Sequence, residues 1–69
     1  SSNIAEGHAR QGREFAHFLS IARGSAAEVE SQLLLAAELG FTTHEAIAPL
    51  VSMAGEIHRM AASLADKLG

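Results

Sequence analysis

Glu14 and His17 are the residues whose types and spacing come nearest to a chemical site. Glu-x-x-His puts a carboxylate and an imidazole on one helical face, the unit from which di-iron centres in helical bundles are built. Such a centre takes two of these motifs and two further Glu, all pointing inward. The second half of the chain offers Glu45, Glu56 and His58, but Glu56 and His58 are two residues apart and so point away from each other. A second copy of the chain could supply another Glu14 and His17, which keeps a carboxylate/His metal-binding bundle as one reading. The plainer reading is a solvated Glu14 beside a His17 on the flank of a helix, and no metal ligand is assigned. His8, His44 and His58 are scattered and make no ligand set. With no Cys in the chain, a disulfide framework, a thiolate zinc site and a Cys nucleophile are all excluded. Ser25, His17 and Asp66 exist, but no spacing convenes them as a triad, and no Gly-rich loop resembles a phosphate cradle. No catalytic residue and no cofactor follow from these patterns, and an enzyme is not expected.

Arg10, Arg13 and Arg23 are three of the five basic residues, and the first two flank Gly12. Arg10 and Arg13 could form a phosphate-contacting patch, repeated around an oligomer, with Arg23 as a third candidate for RNA or DNA. Against it stands pairing with Glu6 and Glu14 as surface ion pairs of little worth. The net charge of −3 argues against a generally basic nucleic-acid binder, though not against a local patch. The segment from Leu35 to Phe41, followed by a capped helix, has the small residue, Gly and apolar residue of a helix-turn-helix. The would-be recognition helix nevertheless holds Pro49, no Arg or Lys between 41 and 58, and Glu45 and Glu56 where phosphates would lie. A bundle hairpin turn explains the same residues.

These groups sit on helices. From Arg13 to Leu39 the larger apolar residues recur at alternating spacings of three and four, through Phe15, Phe18, Ala22, Ala26, Val29 and Leu33. Residues 1–9 read as the end of a preceding element and Arg10-Gln11-Gly12 as a connection. At ~1.5 Å per residue the 13–39 helix is about 40 Å long, more than a compact monomer of this mass accommodates. Gly24 and Ser25 inside it are read as a site of close helix contact, with a merely tolerated weakness as the alternative. Gly40 ends the helix in the left-handed conformation. Thr42 and Glu45 then form a capping box, and Ile47 to Leu68 continues as a helix over 43–68, kinked or loosened at 45–49 by Pro49. Two long helices joined by a short turn run antiparallel. The run Leu33-Leu34-Leu35 spans more than one face, so this hairpin wants partners. No stretch approaches the ~18 apolar residues of a membrane span. The apolar fraction is 48%, but much of it is Ala, and 69 residues seldom bury enough to stand alone.

Asn3-Ile4-Ala5-Glu6-Gly7, Arg10, Glu14-Phe15-x-x-Phe18-Leu19-x-Ile21-Ala22-Arg23-Gly24-Ser25, Glu28, Gln32-Leu33-Leu34, Leu39-Gly40-Phe41 and Glu56-Ile57-x-Arg59-Met60 form a recognisable combination. Together they resemble the bacterial four-helix-bundle family encoded in intervening sequences of 23S ribosomal RNA genes. Accessory variability proteins of diversity-generating retroelements are related to it. The resemblance covers residue 1 to about 68. It implies an all-α fold: residues 1–69 would be the C-terminal part of an up-down antiparallel four-helix bundle, comprising the end of helix two, helix three (13–39) and helix four (43–68). Helix one and most of helix two would then precede Ser1. It also implies a non-enzymatic, cytoplasmic scaffold or interaction module assembled with itself, as a five-fold ring. Asn3, Glu6, Gly24, Ser25, Gly40, Thr42 and Glu45 would hold structural, helix-contact or capping roles. The retroelement relatives bind nucleic acid through a strongly basic surface, and the acidic balance here departs from that. The basic positions matching the family are Arg10, Arg23 and Arg59.

Overall fold

The computed structural model describes residues 2–69, with side-chain environments from Asn3 onward, and among them there are two helices and no strand. The first, α1, runs Ser2–Glu38, and the second, α2, runs His44–Lys67. They pack side by side as an antiparallel hairpin measuring 58 × 15 × 13 Å. The radius of gyration is 16.8 Å, against roughly 11 Å for a compact domain of this length. The class is all-α, as the sequence pattern requires.

No connection interrupts α1 at Arg10-Gln11-Gly12, where a break between residues 1–9 and 13–39 was expected. Ser1 lies outside the described residues. An interior Gly costs a helix about 1 kcal/mol relative to Ala, but Arg, Gln, Glu and Ala around Gly12 are among the better helix formers and no Pro intervenes. The helix therefore continues at modest cost. Its 37 residues outrun the 24 of α2, so the first turns of α1 project beyond the end of its neighbour as a single-helix arm.

The turn is built from backbone. Phe41 N–H donates to Ala36 C=O at 2.9 Å and Gly40 N–H to Ala37 C=O at 3.1 Å, the paired bonds of a Schellman motif. Gly40 supplies the φ of +84° that the motif needs. The cap of α2 is Thr43, with extended backbone and its Oγ1 accepting from Ala46 N–H at 3.0 Å. The expected capping box of Thr42 and Glu45 is displaced by one residue. The third helical position is then Ala46, which has no carboxylate to return the bond, and Glu45 instead places its charge in the first turn, where the helix dipole favours it. Residues 45–49 are helical rather than loosened: α2 passes through Pro49 and on to Lys67 without interruption. Pro49 lies close to the capped end, so only one ladder bond, to the Glu45 carbonyl, is forfeited.

The seam between the helices is narrow. Along α2 the buried or half-buried positions Ile47, Val51, Ala54, His58, Ala61 and Ala65 follow a 4-3-4-3-4 alternation of the kind that lines a coiled-coil interface, with Gly55 and Ala62 half-buried beside them. Facing them on α1 are Leu19, Ala22, Ala26, Glu30, Leu33 and Ala37. Among the described residues only Leu19, Ala26, Ile47, Ala54 and Ala61 are buried, and three of these are Ala. Each buried CH₂ is worth about 0.8 kcal/mol, so a seam of methyl groups holds two helices together weakly.

Candidate interaction surface

The side chains that would normally form a core lie beside the seam instead. On a helix turning about 100° per residue, Phe15, Phe18, Ala22, Ser25 and Val29 fall on one flank of α1. Leu50, Met53, Ile57, Met60 and Leu64 fall on the flank of α2 that, in an antiparallel pair, looks the same way. The two flanks merge into one apolar face. Between them runs a groove of about 310 Å³ lined by Ala22, Ser25, Ala26, Val29, Ala54 and Ile57. Phe18 is 64% exposed and Met60 62%, so large apolar side chains border the groove in open solvent. This contiguous apolar surface is the candidate interaction site.

The opposite face is polar. There a second depression of about 240 Å³ is lined by Ala27, Glu30, Gly55, His58 and Arg59. The Arg59 guanidinium lies over Gly55, with Nη1 3.2 Å from where a Cβ would sit. This is the space that Gly at position 55 leaves for an arginine four residues on. Sequence reasoning left His58 without company, because its nearness to Glu30 depends on the register of the two helices.

The three arginine candidates do not converge. Arg10 and Arg13 are exposed neighbours one turn apart on the arm, whereas Arg23 lies well up the shaft and on another flank. Neither Arg10 nor Arg13 reaches a carboxylate within 4.0 Å, and the basic side chain that does among the described residues is His44, its Nε2 3.3 Å from Glu38 Oε1 across the turn. The expected pairing of the arginines with Glu6 and Glu14 is therefore not formed. Glu14 and His17 are both exposed on α1, and among the described residues no three metal-ligating side chains come together. Asn3 and Glu6 are exposed within the arm. At Gly24 an added Cβ would meet nothing within 4 Å, so the close approach expected there is not made by α2. The reason is angular: position 24 faces away from the seam set by Ala22 and Ala26, whereas Ser25 does line the groove. Among the described residues no helix is long and apolar enough to cross a membrane.

The family model described as 23S rRNA-intervening sequence protein matches residues 1–63. No curated protein and no solved structure matches.

Proposed function

The chain belongs to the 23S rRNA-intervening sequence protein family, and from that premise we propose that it acts as a self-associating scaffold or interaction module of the four-helix-bundle type. The family is not known as enzymatic. The observation that carries the proposal is the apolar face: Phe15, Phe18, Val29, Met53, Ile57 and Met60 stand exposed on one side of a seam too thin to stabilise the hairpin. Exposed apolar surface costs about 25 cal/mol per Å² relative to its burial. Apolar flanks of this extent are stabilised when further helices pack on them, and self-association is the source of those helices proposed here. Function then resides in what the assembled surface presents, because the polar groups remain outside the contact.

The test is the mass of the 69-residue chain in solution by light scattering, combined with fluorescence anisotropy against structured RNA and duplex DNA at about 50 and 200 mM salt. Self-association without nucleic-acid binding is the expected result. A monomer at every concentration would overturn the reading. Tight, salt-steep binding lost in Arg10→Ala/Arg13→Ala would replace it with a nucleic-acid accessory role based on the arm.

A further inference from the structure

We propose that the depression lined by Glu30, His58 and Arg59 binds a small zwitterion of the α-amino-acid type, its carboxylate held by Arg59 and its ammonium by Glu30. The inference goes beyond the scaffold reading. It does not depend on what covers the apolar face, because the depression opens on the opposite side of the hairpin.

Both helices build the site. Ala27 and Glu30 come from α1, and Gly55, His58 and Arg59 from α2. Glu30 and His58 are half-buried at the seam, where every other position of the alternating pattern is apolar. A carboxylate and an imidazole thus enter an otherwise apolar seam and line one depression. A polar group drawn partly out of water loses free energy unless something bonds it.

Arg59 is seated rather than loose. Its guanidinium lies back over Gly55, with Nη1 3.2 Å and both Cζ and Nη2 3.9 Å from where a Cβ would stand. A methyl group at position 55 would press on it, so the glycine gives the guanidinium its place against the helix. A guanidinium held in this way loses less freedom when a ligand arrives. Among the described residues, neither Arg59 nor Glu30 comes within 4.0 Å of an oppositely charged group, and neither makes a side-chain hydrogen bond. One negative and one positive group therefore face the same space without neutralising each other.

These two charges select the ligand. A phosphate or sulfate drawn to Arg59 is repelled by Glu30, and a simple cation drawn to Glu30 is repelled by Arg59. A molecule that carries both charges a few ångströms apart satisfies both groups. Its carboxylate presents two oxygens to the paired N–H donors of the guanidinium. Its ammonium offers three N–H donors to the Glu30 carboxylate, and the His58 ring adds a donor or an acceptor according to its tautomer. Size agrees with this reading. The depression holds about 240 Å³, below the ~300 Å³ at which pockets for drug-sized molecules begin, and Ala27 and Gly55 complete its lining without bulk.

The test is a proton–nitrogen NMR titration of the full-length protein with L-alanine and with two analogues that each lack one charge. Alaninamide lacks the carboxylate, N-acetylalanine lacks the ammonium, and ionic strength is matched throughout. The proposal expects shifts centred on Ala27, Glu30, Gly55, His58 and Arg59, and at least tenfold weaker binding of either analogue. Glu30→Gln and Arg59→Gln should each weaken alanine binding at least tenfold, with helicity by circular dichroism unchanged. Gly55→Ala, which keeps both charges but displaces the guanidinium, should weaken it as well. Alanine that fails to bind, binds no more tightly than its analogues or shifts residues elsewhere overturns the site, as does full binding by any of the three variants. The analogue comparison uses the unmodified protein, so it decides the question even where a variant fails to fold. A negative result leaves the self-association reading intact, since that reading is tested by mass.

Discussion

Thr43 Oγ1 accepts the amide of Ala46 at 3.0 Å, and this bond opens α2. An N-cap removed by Ala substitution typically costs about 1 kcal/mol. Thr43→Ala is therefore expected to lower stability by about that amount. Thr42→Ala, at a residue with no capping bond, should stay within about 0.5 kcal/mol. Urea titration followed by circular dichroism distinguishes them, and equal losses would return the cap to Thr42.

Gly40 and Gly24 should respond in opposite directions. Gly40 holds φ at +84° in the turn, where any L side chain is strained, so Gly40→Ala should cost about 1 kcal/mol. Gly24 sits in ordinary helix with open space around its Cβ position, so Gly24→Ala should stabilise by about 0.5–1 kcal/mol. Thermal melts of both variants check the pair, and a destabilised Gly24→Ala would mean that a partner chain approaches there.

Pro49 lies inside α2 and is exposed. Replacing it with Ala restores an amide for the Glu45 carbonyl and removes the ring's crowding of the preceding turn. Pro49→Ala is expected to raise stability by about 1–3 kcal/mol. An unchanged melting curve would show that the first turn of α2 frays in solution.

The seam should resist enlargement. Ala54 and Ala61 are buried where the helices meet, and added methylenes there must push the helices apart, at about 1–3 kcal/mol. Ala61→Leu is expected to reduce amide protection in both helices during hydrogen exchange. Protection that rises instead would indicate a gap at the seam.

The His44–Glu38 contact across the turn contributes little. His44 and Glu38 are 64% and 71% exposed, and exposed pairs give about 0–1 kcal/mol. His44→Ala should shift the urea midpoint barely at all. A loss comparable to that of Thr43→Ala would show that the pair organises the turn.

Much of the fold is legible in single residues. The Gly40 stop, the antiparallel hairpin and the apolar periodicity of both helices follow from spacing and local backbone preference. Arg10-Gln11-Gly12 has the composition of a connection, but nothing in the neighbouring residues forces a turn, and α1 continues through it. The cap moved from Thr42 to Thr43 because two adjacent threonines offer the same chemistry, and the geometry of the preceding Schellman turn chooses between them. Gly24 is a related case: a small residue permits close approach, but the seam set by Ala22 and Ala26 turns position 24 away from α2.

The sequence by itself determined the all-helical class, the position of the turn and the family, because these depend on local propensity and on residues fixed along one chain. Tertiary structure decided which flank of each helix meets the other, and hence that Phe15, Phe18, Met53 and Ile57 share one exposed face while Glu30, His58 and Arg59 share the opposite one. A helix that is apolar over more than one flank has several ways to pack. Small seam residues let α1 and α2 approach along Ala26, Ala54 and Ala61, and that choice leaves the large side chains on the exposed flanks.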